Sequence, residues 1–225
     1  MTTTLQDSQE VIAQLIDASR TLIAVGMLFR GAHANLSVRI SDDRIVMTSG
    51  GNVARLTADD FAVVRTDGTV LEGTMAPTMK EIVEMHTGLY RERPDVGAVV
   101  HSHAPHITAF ALAHQPLPLV YEPLLRFGLT EEVPVVPWAP RGSAESVSGI
   151  LSRAKGHPGI LAVMLANHGV LAFSTDLPTT VQLLTTLDEA AELTLEAKAL
   201  GGAKPLPPLA IEQVRDRIRE FSPTH

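Results

Sequence analysis

Residues 96–103 read VGAVVHSH, an unbroken apolar run that ends in two histidines one residue apart. Such a run has no side to give to water, so it predicts a strand buried on both faces. Side chains two apart on a strand point the same way, so His101 and His103 share one face at the strand's end. Strand ends are where α/β folds present reactive side chains.

The sequence on either side supplies helical and extended periods in turn. Residues 5–29 place Val11, Leu15, Leu22 and Val25 beside Ile12, Ile16 and Ile23, which predicts an amphipathic helix ending near Gly31. From Leu36 the runs LSVRI, RIVMT and FAVVR, separated by SDD and SGGN, predict an antiparallel meander, with Asp67-Gly68 turning into Val70. A helix over 79–92 leads through Arg93-Pro94-Asp95 into the buried strand. Alternation follows: PHITAFALAH helical, VPVV extended, AESVSGILSRA helical, ILAVMLA and VLAF extended, and a long helix closed by Gly201-Gly202. KPLPP is a stiff connector to a last helix over 209–221. A chain of 225 residues buries enough surface for one α/β domain, expected over 1–225 with 203–225 as a C-terminal tail and short helix.

Composition narrows the partners. A formal charge of −7 without a Lys/Arg-rich block argues against nucleic acid, which needs a basic face to displace phosphate counterions. No stretch has the apolar length of a membrane span, and MTTTLQDSQE has neither the basic start nor the apolar run of a signal peptide. The expectation is a cytoplasmic protein with a small-molecule substrate, free of disulfides because it has no cysteine.

A third histidine, His168 in LANHGV, follows another apolar strand. Together with His101 and His103 it makes a candidate three-histidine metal site, and three neutral imidazoles with an open fourth position describe a catalytic site rather than a structural one. The alternative on spacing alone is a cluster of surface or hydrogen-bonded histidines.

RPDVGAVVHSHAPHITAFA is similar to the block RPD-x-x-x-VVH-x-H-x-x-x-x-T-A of the class II aldolase/adducin family, and PVVPWAPRGS followed by LANHGVL is similar to its later block. The resemblance runs from about residue 10 to residue 195. It implies an α/β fold with a mostly antiparallel central β-sheet flanked by helices on both sides, assembled as a homotetramer with sites at subunit interfaces. It also implies that His101, His103 and His168 hold one divalent ion per subunit, Zn2+ first, with Mn2+ or Co2+ as alternatives, since imidazoles accept all of these. A chelated cation of this kind acts as a Lewis acid on an enediolate. The family's general acid/base is a carboxylate upstream of a helical His-x-x-x-Tyr, which His86 and Tyr90 match. Glu81 is the nearest candidate, although Ile82 stands four residues before His86, where the carboxylate is usual, and Glu84 two before. The plainer reading of Glu81 and Glu84 is a solvated helix start.

Other family features are kept only in part. Asn35 and Ser37 match the anion loop, but Ala34 replaces its glycine; Ser49-Gly50 matches a turn; Thr78-Met79 stands where the family has two serines. Asn35, Ser37, Ser49, Gly50 and Thr78 are therefore the expected substrate contacts, on a substrate for which phosphate is disfavoured. Arg39 is expected either to bind a carboxylate or to pack structurally. Tyr121 lies one residue before the place of a family tyrosine that acts near the site, the alternative being a core residue, and no tyrosine follows it, so the tail role falls to another side chain such as His225. His33 and His106 are expected at the pocket's edge, His157 on the surface, and Trp138 as an anchor of its turn. The leading reading is a metal-dependent lyase that cleaves a hydroxy-carbonyl compound by a retro-aldol route. The alternative is decarboxylation of a hydroxylated, possibly aromatic, acid; epimerase or dehydratase activity and a non-catalytic adducin-like scaffold rank below.

Overall fold

The computed structural model describes residues 8–28, 31–140 and 142–221. His225, with the rest of the extreme tail, lies outside them, as do residues 5–7 of the predicted first helix. Helix α1 spans Ser8–Ala24 and buries Val11, Ile12, Leu15, Ala18 and Leu22. It stops well before Gly31. Gly26, at a φ of 78°, donates to the Ile23 carbonyl and Met27 to that of Leu22, the two bonds that close a helix on a left-handed glycine. Val25, read as part of the apolar stripe, is consequently half exposed.

The meander forms as expected: β1 (Asn35–Ser41), β2 (Arg44–Thr48), β3 (Phe61–Arg65) and β4 (Val70–Glu72). Helix α2 (Lys80–Glu92), preceded by a 3-10 turn over Pro77–Met79, leads into β5 (Ala98–Ser102). After it come α3 (Pro105–Ala113), β6 (Val135–Val136), α4 (Ala144–Ala154), β7 (Ala162–Leu165), β8 (Gly169–Ser174), α5 (Leu177–Glu196) and α6 (Ala210–Phe221). A 3-10 segment over Glu122–Phe127, which the sequence reading did not anticipate, joins α3 to β6. The eight strands make one sheet in the order β4-β3-β2-β1-β5-β8-β7-β6. The sheet expected to be mostly antiparallel is a mixed one: β6 runs parallel to β7, because the connection between them crosses over through α4, while the other neighbours are antiparallel.

The sheet separates two cores. Alternate residues of β1 and β5, such as Leu36, Val38 and Val100, pack with α1, α3 and α5; Val99, Val163, Leu171 and Phe173 pack on the other face with α2 and α4. Helices thus cover both faces, and β5 lies at the centre with every residue buried, as its apolar run requires. Among the described residues no helix is long and apolar enough to cross a membrane.

Two arginines fasten the second layer. Arg93 of the RPD block is buried, pairs with Asp95 at 2.7 Å and donates to the carbonyls of Ala154, His157 and Ile160. Arg39 donates to the carbonyls of Val96, Tyr90 and Asp42 and lies over the Tyr90 ring. Of its two expected roles, packing is the one seen.

A buried polar chain joins α2 to β1. Tyr90 Oη donates to the Ser37 carbonyl at 3.0 Å and lies 2.9 Å from Ser37 Oγ. His86 Nε2 meets Asn35 Oδ1 at 2.6 Å, and its Nδ1 meets Ser37 Oγ at 2.6 Å. Because an amide oxygen only accepts, Nε2 carries the ring's hydrogen and Ser37 donates to Nδ1. Burial pushes the His86 imidazole down to about 3 from its ordinary 6.5. Below pH 6.5 the unfolded chain takes up a proton that the folded chain refuses until about pH 3, so stability is full above that window and falls as pH drops through it, by up to about 1.4 kcal/mol per pH unit. Urea midpoints between pH 7.5 and 4.5 are expected to fall less steeply in His86→Gln than in the parent; equal slopes would count against this role for His86.

Candidate metal centre

The three histidines come from two neighbouring segments of the sheet. His101 is the fourth residue of β5, its Cα paired with Asn35 of β1 on one side and Leu171 of β8 on the other. His103 follows the strand's end, and His168 occupies the tight connection between β7 and β8. That connection turns through Asn167, in the left-handed region at a φ of 59°, where asparagine is better tolerated than most residues. Asn167 N–H donates to the Ala111 carbonyl, and His114 Nε2 donates to Asn167 Oδ1 at 2.7 Å, so the end of α3 holds the turn. Gly169 then lets β8 meet β5: a Cβ there would lie 2.5 Å from the Ser102 carbonyl oxygen.

The rings converge, with centroids 4.9 Å apart for His101 to either partner and 5.0 Å between His103 and His168. One ligand nitrogen from each lies within 4.8 Å of the others. His101 Nδ1 donates to the Val170 carbonyl at 3.0 Å and His103 Nδ1 to the His33 carbonyl at 3.1 Å. A carbonyl cannot donate, so both rings carry hydrogen on Nδ1 and keep the Nε2 lone pair for a cation. Burial, reinforced by His168 and His103, holds the His101 imidazole well below its ordinary pKa and therefore neutral, as a ligand must be. This donor set fits one divalent cation and leaves coordination positions for substrate.

The backbone beyond His103 is anchored from α5. Asp188 is buried and its Oδ1 accepts from the N–H groups of His106 and Ile107 at 2.8 and 2.9 Å, capping α3; its Oδ2 holds His106 Nδ1 at 2.8 Å. His106 thus turns to α5, where Asp188 raises its pKa, rather than to the pocket as expected.

The histidines open into a cavity of about 630 Å³. Asn35, Thr78 and Glu81 line it, as do His33 and Trp138. With its Oδ1 turned to His86, Asn35 keeps its Nδ2 donor for the cavity side. Glu81 is the only carboxylate among the described lining residues, and its side chain lies against Gly142, where a Cβ would fall 1.9 Å from its Cγ and Cδ. Gly142 also has a φ of 72°, so the loop leaves this space for two reasons at once.

Four placements differ from the leading expectation. Ser37 does not line the cavity: it is fully buried behind Asn35, its hydroxyl engaged with His86 and Tyr90. At the SGG turn the cavity is lined by Gly51, one residue beyond Ser49 and Gly50. Tyr121 packs on the α1/α3/α5 core, the second of its two expected places, with the charge of Glu189 of α5 beside it and away from this chain's own cavity, because its segment follows α3 down the opposite face of the sheet. His157 is exposed and pairs with Glu131, as expected. Trp138 does not anchor its turn in the core: it is 64% exposed. Sequence reasoning missed Asp188 and the α4 wall of Val147 and Ile150, a segment read only as helical.

Residues 13–195 match the model of the class II aldolase and adducin N-terminal domain. The chain is 30% identical to the 5-methylthioribulose-1-phosphate/5-deoxyribulose-1-phosphate aldolase of Rhodospirillum rubrum over 92% of its length and 90% of the relative's. It is 29% identical to the 3-oxo-tetronate 4-phosphate decarboxylase of Haemophilus influenzae over 80% of its length and 84% of the relative's. In structure it superposes on an L-fuculose 1-phosphate aldolase with a TM-score of 0.81 and 25% identity, covering 96% of this chain and 98% of the other. A match that spans the sheet, both helical layers and all three converging histidines makes this chain a member of the class II aldolase/adducin family.

Proposed function

We propose that the chain is a divalent-metal-dependent carbon–carbon lyase that cleaves a hydroxy-carbonyl substrate by a retro-aldol route. The observation that carries this reading is the convergence of three neutral imidazoles on a cavity that also holds Glu81. His101, His103 and His168 would hold the cation, which supplies Lewis-acid polarisation of the substrate's carbonyl and neighbouring hydroxyl. Zinc is the first choice, with manganese or cobalt as alternatives. As the bond breaks, the hydroxyl on one side becomes a carbonyl and releases a proton, and the carbon on the other side gains one. Glu81 accepts the first and returns it to the second, which balances the reaction without an outside reagent. Asn35 Nδ2 and the Thr78 hydroxyl orient the substrate, while His86 and Ser37 fix the Asn35 amide from behind.

A second reading, metal-dependent decarboxylation, is favoured by the similarity to a decarboxylase and by a site with one carboxylate among its described lining residues. We extend the proposal to a homotetramer with sites at subunit interfaces, working in the cytoplasm; in that assembly Tyr121 acts in a neighbour's site. The family habit supports this extension.

Two measurements test the reading. Purified protein is expected to contain about one divalent ion per chain, to lose lyase turnover with a chelator and to regain it with zinc, manganese or cobalt, while His168→Ala holds less metal; full turnover in a verified metal-free sample would falsify the proposal, and a protein that never binds an ion would revive the scaffold reading. Glu81→Gln is expected to retain metal and lower kcat by about 10²–10⁴-fold, the usual contribution of a positioned acid/base. Assaying aldehyde against carbon dioxide release from hydroxy-ketones and hydroxy acids decides between the two lyases.

A further inference from the structure

The cavity lining divides by element. Strands β1 and β5 and the β7–β8 turn bring Asn35 and the three histidines. Apart from Glu81 of α2 and Ser146 of α4, the remaining elements bring hydrocarbon: Ile82 and Met85 of α2, Val136 of β6, and Val147 and Ile150 of α4, with Trp138 beside them. The two helical pairs are three residues apart, so each presents one face. Val136 and Ile150 are almost wholly buried members of the core under α2 and α4, so the cavity is floored by the core itself. Trp138, by contrast, leaves a large apolar ring 64% exposed while also lining the cavity, so the ring is open to a ligand there.

Part of the corner that would cradle an anion is already engaged elsewhere. Binding a phosphate there needs backbone N–H groups free to point at it. The Ala34 N–H already donates to the Gly51 carbonyl at 3.1 Å, that of Met79 to the Ala76 carbonyl at 2.8 Å, and that of Lys80 to the Pro77 carbonyl. Met79 adds a thioether where a hydroxyl would help an anion.

We propose that the substrate carries an uncharged apolar tail, aryl or branched alkyl, beside its chelating hydroxy-carbonyl head, and that this tail lodges between α2 and α4 against Trp138. The inference rests on the lyase reading for the head and on the wall residues for the tail. Hydroxamates test the two separately, because their adjacent oxygens chelate a cation as a hydroxy-carbonyl does while the tail is varied at will. Acetohydroxamate, butyrohydroxamate, benzohydroxamate and phosphonoacetohydroxamate are titrated against the metal-loaded protein by calorimetry and by the fluorescence of Trp138, the chain's single tryptophan. Affinity is expected to rise about fourfold per buried methylene, and benzohydroxamate to bind at least about tenfold more tightly than acetohydroxamate on the same scale. Val147→Asn, at a half-buried position that a polar side chain tolerates, is expected to remove most of that advantage and leave acetohydroxamate binding unchanged. If the phosphonate-tailed compound binds best, or if Val147→Asn leaves the aryl preference intact, the apolar compartment is wrong and the lyase reading stands. If the protein binds no metal and the aryl compound alone still perturbs Trp138, the compartment stands and the lyase reading falls.

Discussion

The hydrogen bonds that His101 and His103 donate through Nδ1 to backbone carbonyls organise the whole site. Each uses one nitrogen of a ring to fix the other, and each carbonyl belongs to a different part of the fold: Val170 to β8, His33 to the segment entering β1. The direction of the two Nε2 lone pairs is therefore set by the pairing of three adjacent strands. Gly97 and Gly169 serve the same junction, since a side chain at either would press into the backbone of a neighbouring strand or its exit. A buried neutral imidazole costs little to desolvate, whereas a charged one costs several kcal/mol. Burial of His101 thus selects the protonation state that a cation requires, before any cation arrives.

Much of this was legible in the sequence because it is local. The apolar run before His101 predicted a strand buried on both faces, and β5 is buried throughout. The change of period at Leu36 predicted the meander, and the lengths of the helical runs predicted α2, α4 and α5 within a few residues. The end of α1 was misjudged because the apolar residues continue to Leu28, while the chain obeys Gly26, whose backbone conformation outweighs the pattern.

What was not legible depends on depth and on long-range packing. Asn35 and Ser37 share a face of β1, but α2 crosses over Ser37 and leaves only Asn35 at the cavity. Strand alternation gives the face of a residue, not its distance from the end of the sheet. The RPD block carries family resemblance, yet Arg93 and Asp95 clamp the exits of α2 and α4 and do not line the cavity. Asp188 stands 85 residues from His103 in the chain, and nothing around it announces that its carboxylate caps the helix after β5. Trp138 and the α4 wall acquire meaning only when α2 is placed opposite them.

The sheet ends on both sides in very short strands, three residues at β4 and two at β6. An exposed edge recruits another strand in proportion to the row of free N–H and C=O groups it offers, and these edges offer little. The register irregularity between β3 and β4 further disturbs pairing along one of them. Copies of this chain are thereby steered away from fusing their sheets into a continuous ladder. Any association would fall to helix surfaces and loops, which can be tuned residue by residue without disturbing the strands that aim the histidines.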